Sequence, residues 1–199
     1  MGANSFCNDQ EGYLEMKRVA VGVTGASGAV YGIRLLEILK GKVETHLVVS
    51  RNAKVVIEKE TQMTSGDVRD LASCAYDLFD FNSPLASGSF RTDGMVIAPC
   101  SIKTLSSVAH SYADSLLARA ADVTLKERRP LILVVRESPL HCGHIRLMAK
   151  VTEMGAVVCP PMPAFYTRPK TIDDIIDGTV ARVLDLIGIE NELASRWGE

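Results

Sequence analysis

The chain has 199 residues, 22 basic and 24 acidic, with a formal charge of −2. That length is most economically one domain able to bury roughly 70% of its unfolded surface, and the even balance offers no field for nucleic acid or an anionic membrane, so any anion site must be local. No apolar run approaches the ~20 residues of a membrane span, and five scattered cysteines without a Cys-x-x-Cys pair fit free thiols in a reducing cytosol.

Residues 1–16 are polar and aperiodic, lack a basic-then-apolar secretory pattern, and are expected to form a disordered extension ahead of a domain over 17–199. Residues 19–23 are a β-branched strand and 24–28 a small-residue turn. From Ala29 the apolar positions Ile33, Leu36 and Leu39 take helical spacing. Such a junction aims the unpaired first amides of the helix and its positive pole at the loop, which makes phosphate the expected guest. Gly25-Ala26-Ser27-Gly28 fits neither G-x-G-x-x-G nor the Gly-Lys-Ser/Thr loop. The next strand, residues 44–49, ends in Ser50 and not in a ribose-binding carboxylate. A mononucleotide with one phosphate suits these residues, and a turn whose glycines serve packing alone is the alternative.

Further along, helices are predicted over 52–60 and 67–75, the second with Val68, Leu71 and Ala75 on one side. Residues 79–92 are the longest irregular stretch, of a length more often functional than idle. A strand over 94–98 closes at Pro99-Cys100-Ser101, with Ser101 as N-cap of a helix from Ile102. A helix over 111–126, a strand over 131–135, a helix over 139–154, a strand over 156–159 and a stiff loop over 160–166 follow. Thr171-Ile172-Asp173-Asp174 resembles a capping box opening a terminal helix, whose stripe is Ile172, Ile175, Ile176, Val180, Val183, Leu184 and Ile187. Unbroken apolar strands alternating with helices predict a single α/β domain, a Rossmann-like or flavodoxin-like doubly wound parallel sheet with helices on both faces. Ligands gather at the carboxyl ends of such strands. Those ends carry residues 24–28, Ser50, 99–104, 136–139 and 160–166.

Ser101, Lys103 and Thr104 form a second donor-rich corner, or an ordinary N-cap. Cys100 suits a small packed residue better than a nucleophile. Arg136 and Glu137 stand directly after an apolar strand, where burial raises a carboxyl and neighbouring cations lower it, so the pair is tunable for proton handling; a surface salt bridge is the alternative. His141 and His144 lack the Glu of His-Glu-x-x-His and read as cap or core residues, with no metal expected. The run from Lys126 to Arg129 precedes its strand and lies at the wrong edge of the sheet for its own ligand site. If these cations act, they do so in a neighbouring subunit's pocket.

Taken in order, VTGASGAVYG, KETQ, ASGSF, APCSIKTLS, RAADVTLKERRPL, VVRESPL, PPMPAFYTRP, VARVLD and RWGE resemble the UbiX/PAD-type flavin prenyltransferases from Lys17 to Trp197. The resemblance implies a metal-independent cytoplasmic enzyme that makes prenylated FMN from reduced FMN and dimethylallyl phosphate. The product is the cofactor of UbiD-type decarboxylases, in ubiquinone synthesis or aromatic-acid decarboxylation. It also implies FMN contacts from Gly25, Ala26, Ser27, Ser50, Ser101, Ile102, Lys103, Thr104 and Arg136, with Ser27 near the flavin N5. Tyr166 and Arg182 would hold the prenyl phosphate with Arg119 and Lys126. Ser27, Glu60, Lys126 and Glu137 would be catalytic, and Trp197 would help close the pocket. Such sites are shared between subunits of a dodecamer. The nearest rival is an FMN-dependent cysteine decarboxylase of related fold, whose group resembles a Pro-Ala-Ser-Ala-Asn-Thr pattern where this chain has Ala98-Pro99-Cys100-Ser101-Ile102-Lys103-Thr104. A non-catalytic flavin-carrying decarboxylase subunit is the other.

Overall fold

A computed structural model describes residues 16–195 and Gly198. The expected extension over 1–16, apart from the exposed Met16, and the expected role of Trp197 lie outside the described residues. In chain order the elements are β1 (Arg18–Val23), α1 (Ala29–Leu39), β2 (Glu44–Val49), α2 (Arg51–Glu60), α3 (Ser65–Arg69), β3 (Cys74–Tyr76), β4 (Gly94–Cys100), α4 (Ile102–Ala109), α5 (Leu116–Lys126), β5 (Leu131–Val135), α6 (Cys142–Glu153), β6 (Val157–Val158) and α7 (Ile172–Leu186). Short 3-10 turns cover Pro84–Ala86 and Phe165–Thr167.

The six strands run parallel in the order β3-β2-β1-β4-β5-β6. Of the two predicted doubly wound types this is the Rossmann order, and its direction of progress reverses between β1 and β4. Alternate residues serve opposite faces, as the pleat requires. Val19, Val21, Val23, Leu47, Val49, Val96 and Ile132 pack with α1, α2 and α7. Ala20, Val48, Met95, Ile97, Leu131 and Leu133 pack with α4, α5 and Val151 of α6. Both layers are needed because every strand position from Met95 to Cys100 and from Leu131 to Val135 is buried. Among the described residues no helix is long and apolar enough to cross a membrane.

Three expectations are corrected. The predicted helix over 67–75 stops at Arg69, and residues 74–76 instead add the edge strand β3 beside β2. The helix predicted from 111 starts at Leu116, because Ser115 supplies the cap by accepting from Ala118 N. The capping box of α7 is present at Thr171 and Asp174. Ile172, however, is 76% exposed and does not belong to the buried stripe, which begins with Ile176; the first turn of α7 projects past the edge of the core.

Candidate active site

The reversal of strand order brings the loops after β1 and β4 together, and Thr24 joins them. Its hydroxyl donates to Pro99 O at 2.7 Å and accepts from Ser101 N at 2.8 Å, while its own amide donates to Pro99 O at 3.2 Å. Thr24 is buried, so these bonds act in a dry setting where an unmade one is costly. Sequence reasoning did not single it out; a hydroxyl ending an apolar strand was the available signal. Gly25 follows because α2 crosses so closely that a Cβ would stand 2.4 Å from Asn52 Cβ.

The anion site expected at α1 is occupied by the chain itself. Gly28 is the N-cap, in the left-handed region at φ 102°, and offers no side chain to the helix amides. Glu60, the last residue of α2, fills the gap: one carboxylate oxygen accepts from Gly28 N at 2.8 Å and Ala29 N at 2.9 Å. Burial pushes the Glu60 carboxyl up, but hydrogen bonds from Ser27, Gly28 and Ala29 and the charge of Arg136 outweigh it and hold the group below its usual range. Phosphate is therefore not the guest of α1, and Ser27 is tied to Glu60.

Free donors lie on the other side of the same loop, around a cleft of about 380 Å³. Gly25, Ser50, Ser101, Ile102, Lys103, Thr104 and Glu137 line it, together with Asn52, Phe79 and Ser115, which sequence reasoning passed over. Three helices begin here. The side chains of Ser50, Ser101 and Ser115 each cap by accepting one amide, from Ala53, Thr104 and Ala118. A helix start has more unpaired amides than one side chain can serve, so donors and the positive poles of α2, α4 and α5 remain for an anion. A groove of similar size, about 370 Å³, runs between α1 and α7. Its polar wall is used internally: Arg34 Nε and Nη2 donate to Asp177 at 2.7 and 3.1 Å.

Ala26 lies buried beneath this loop and Ser27 is exposed at its rim. Arg136 and Glu137 follow β5 as expected but are exposed and form no ion pair with each other among the described residues. Arg136 instead acts by its charge on Glu60 and on the Tyr31 phenol, which burial raises and Arg136 lowers. Glu137 Oε1 accepts from Ser138 N at 3.1 Å. Cys100 is fully buried, and burial pushes its thiol up to about 12, consistent with a packed residue. His141 caps α6 by accepting from Gly143 N at 3.0 Å, and its ring lies 3.6 Å from that of His144.

Tyr166 and Arg182 share a second cavity of about 180 Å³ with Cys159, Thr167, Gly178 and Thr179. Burial raises the Cys159 thiol and the charge of Arg182 opposes it, while Arg182 Nη1 lies 4.0 Å from Asp185 Oδ2. Arg119 and Lys126 line neither cavity. Both project from α5, where Arg119 pairs with Asp122 at 3.0 Å and Lys126 pairs with Glu127. One protomer thus presents the expected residues in three groups.

This architecture is a mononucleotide-sized cleft of helix starts at the switch point of a Rossmann-type sheet, and residues 8–184 match the family described as Flavoprotein. The chain belongs to that family. It is 55% identical over 186 residues to the flavin prenyltransferase UbiX of Escherichia coli K12, covering 92% of this chain and 98% of the relative. A crystal structure of a UbiX protein in complex with FMN and dimethylallyl pyrophosphate superposes with a TM-score of 0.91 at 46% identity, over 92% of this chain and 98% of that one. A dodecameric FMN-dependent UbiX-like decarboxylase from Escherichia coli O157:H7 gives 0.89 at 49% identity, over 92% and 100%. Within the flavoproteins, the chain is a member of the UbiX flavin prenyltransferases.

Proposed function

We propose that the chain joins the dimethylallyl group of dimethylallyl phosphate to N5 and C6 of reduced FMN, as a dodecamer with shared sites, and that the product serves a UbiD-type decarboxylase. The observation that carries this reading is the presence of two cavities of different character, one walled by helix starts and one mostly apolar with Tyr166 and Arg182 in its wall. The related crystal structure holding both a flavin and an allylic ester supports it.

Gly25, Ser50, Ser101, Ile102, Lys103 and Thr104 would take the FMN phosphate and ribityl chain with amide and hydroxyl donors. Glu60 repels a phosphate from α1, so the isoalloxazine end belongs on the side of Ala26, Ser27 and Arg136. Bound reduced FMN supplies the nucleophilic ring positions. The residues supply the rest. As the allylic carbon leaves its phosphate oxygen, charge separates, and Arg119, Lys126, Arg182 and the Tyr166 phenol stabilise the departing oxyanion. Glu60 orients the Ser27 hydroxyl. Glu137 relays protons between the reacting edge and the phosphate, whose second pKa of about 6 lets it accept one. Positioning both partners in near-attack geometry lowers the barrier further. Supply of Lys126 and Arg119 by a neighbouring subunit reconciles their distance from both cavities with this role. The cytoplasm is the expected compartment, and no metal takes part.

Mixing the purified chain anaerobically with reduced FMN and either dimethylallyl phosphate or the pyrophosphate, then weighing the flavin by mass spectrometry, tests the reading. A flavin heavier by one dimethylallyl unit, formed with the monophosphate and without added metal, is expected. A flavin of unchanged mass with both donors would leave cysteine decarboxylation or passive flavin carriage.

A further inference from the structure

Three carbonyls of the turn after Pro84–Ala86 are claimed by arginines from the two ends of one helix. Arg119 Nε donates to Ala86 O at 3.1 Å, Arg129 Nη2 to Gly88 O at 2.8 Å and Arg129 Nη1 to Phe90 O at 2.9 Å. The turn is so close to the end of α5 that a Cβ on Gly88 would stand 2.1 Å from Glu127 Oε1 and 2.6 Å from Lys126 Nζ. Arg129 reaches the turn because α5 closes with paired bonds, Arg129 N to Thr124 O at 2.9 Å and Arg128 N to Leu125 O at 3.0 Å. That closure puts Arg128, a residue with a Cβ, in the left-handed region at φ 59°.

We propose that Gly88 and Arg129 are positioning residues for prenyl transfer: through the turn at residues 86–90 they set the direction in which Arg119 and Lys126 present their cations to the donor's phosphate. The inference rests on the reading that Lys126 binds that phosphate. Arg129 pins the turn at two carbonyls, and the missing side chain at Gly88 leaves room for the paired Lys126 and Glu127 to lie flat on it. Arg119 is fastened to the same turn, so one rigid segment registers both cations.

Gly88→Ala is the sharper probe, since the atoms its methyl meets are the ends of flexible side chains and can move without unfolding the chain. It should raise KM for dimethylallyl phosphate about tenfold, with the FMN Kd, the oligomer size and the Tm unchanged. Arg129→Lys can serve only one of the two carbonyls and should show the same pattern more weakly. The combination Gly88→Ala with Lys126→Met should be no worse than Lys126→Met alone, because both act through one ammonium. Wild-type KM in Gly88→Ala beside a defective Lys126→Met overturns the inference alone, as do effects that multiply in the double variant. A Lys126→Met protein with wild-type KM would instead sink the assignment of Lys126, and the inference with it.

Discussion

Arg182 and Glu137 line different cavities, one the cavity with Tyr166 and the other the larger cleft, and the proposed function gives them different tasks. Removing a charged partner of a phosphate costs about 10- to 100-fold in binding. Arg182→Ala should therefore raise KM for dimethylallyl phosphate by that order with FMN affinity kept, whereas Glu137→Gln should keep both affinities and slow kcat. Steady-state kinetics beside a flavin titration separates the two, and an equal loss of both affinities in Arg182→Ala would refute its role. His46 poses a different question, at the end of the sheet away from the site. It is buried, with Nδ1 2.8 Å from Tyr76 Oη and Nε2 2.9 Å from Glu44 Oε1, and Phe90 lies edge-on. Burial lowers its pKa below the usual 6.5, against the pull of Glu44 and with help from Arg18. The unfolded chain then binds a proton that the folded chain refuses. Stability should rise with pH from the lowered folded value up to about 6.5 and be lost on acidification through that window. Urea midpoints across it should slope upward for the wild type and flatten in His46→Gln.

Elements set by strong local chemistry were legible beforehand. The bounds of β2 and β5 agree with the sequence reading to the residue, and Ser101 and Thr171 are caps as expected. The strand β3 was not legible, since Cys74, Ala75 and Tyr76 are too few to show alternation and follow a run of helical spacing. The site was readable in its parts but not in its assembly. Loops at strand ends pointed to Ser50, Ser101 and Glu137, yet a carboxylate arriving from 31 residues away to cap α1 leaves no local trace. The separation of Tyr166 and Arg182 from the larger cleft is likewise a product of packing. The cap of α7 offers an energetic check. Thr171→Ala removes one half of the capping box and should cost about 1 kcal/mol, lowering Tm by about 2–4 °C in a chain of this size. Differential scanning calorimetry would show it, with FMN affinity unchanged.

The whole protomer carries apolar surface that its own fold does not cover. Met162, Phe165 and Ile172 are each more than 70% exposed, and Leu140 and Ile145, in the loop before α6 and on α6, are exposed as well. The proposed assembly of like chains would cover side chains of this kind. Phe165→Asp should shift size-exclusion elution toward smaller species while circular dichroism is retained, and on the proposed sharing of sites between subunits it should abolish prenylation. A full-size particle would contradict this. The plug that Glu60 forms in α1 has one more consequence, for ligand choice. By bringing its own negative group, the chain withdraws that helix from competition for anions and rations its hospitality toward phosphoesters. A phosphoester that meets this loop finds a carboxylate already seated on the Gly28 and Ala29 amides, and the charge there steers it toward the starts of α2, α4 and α5.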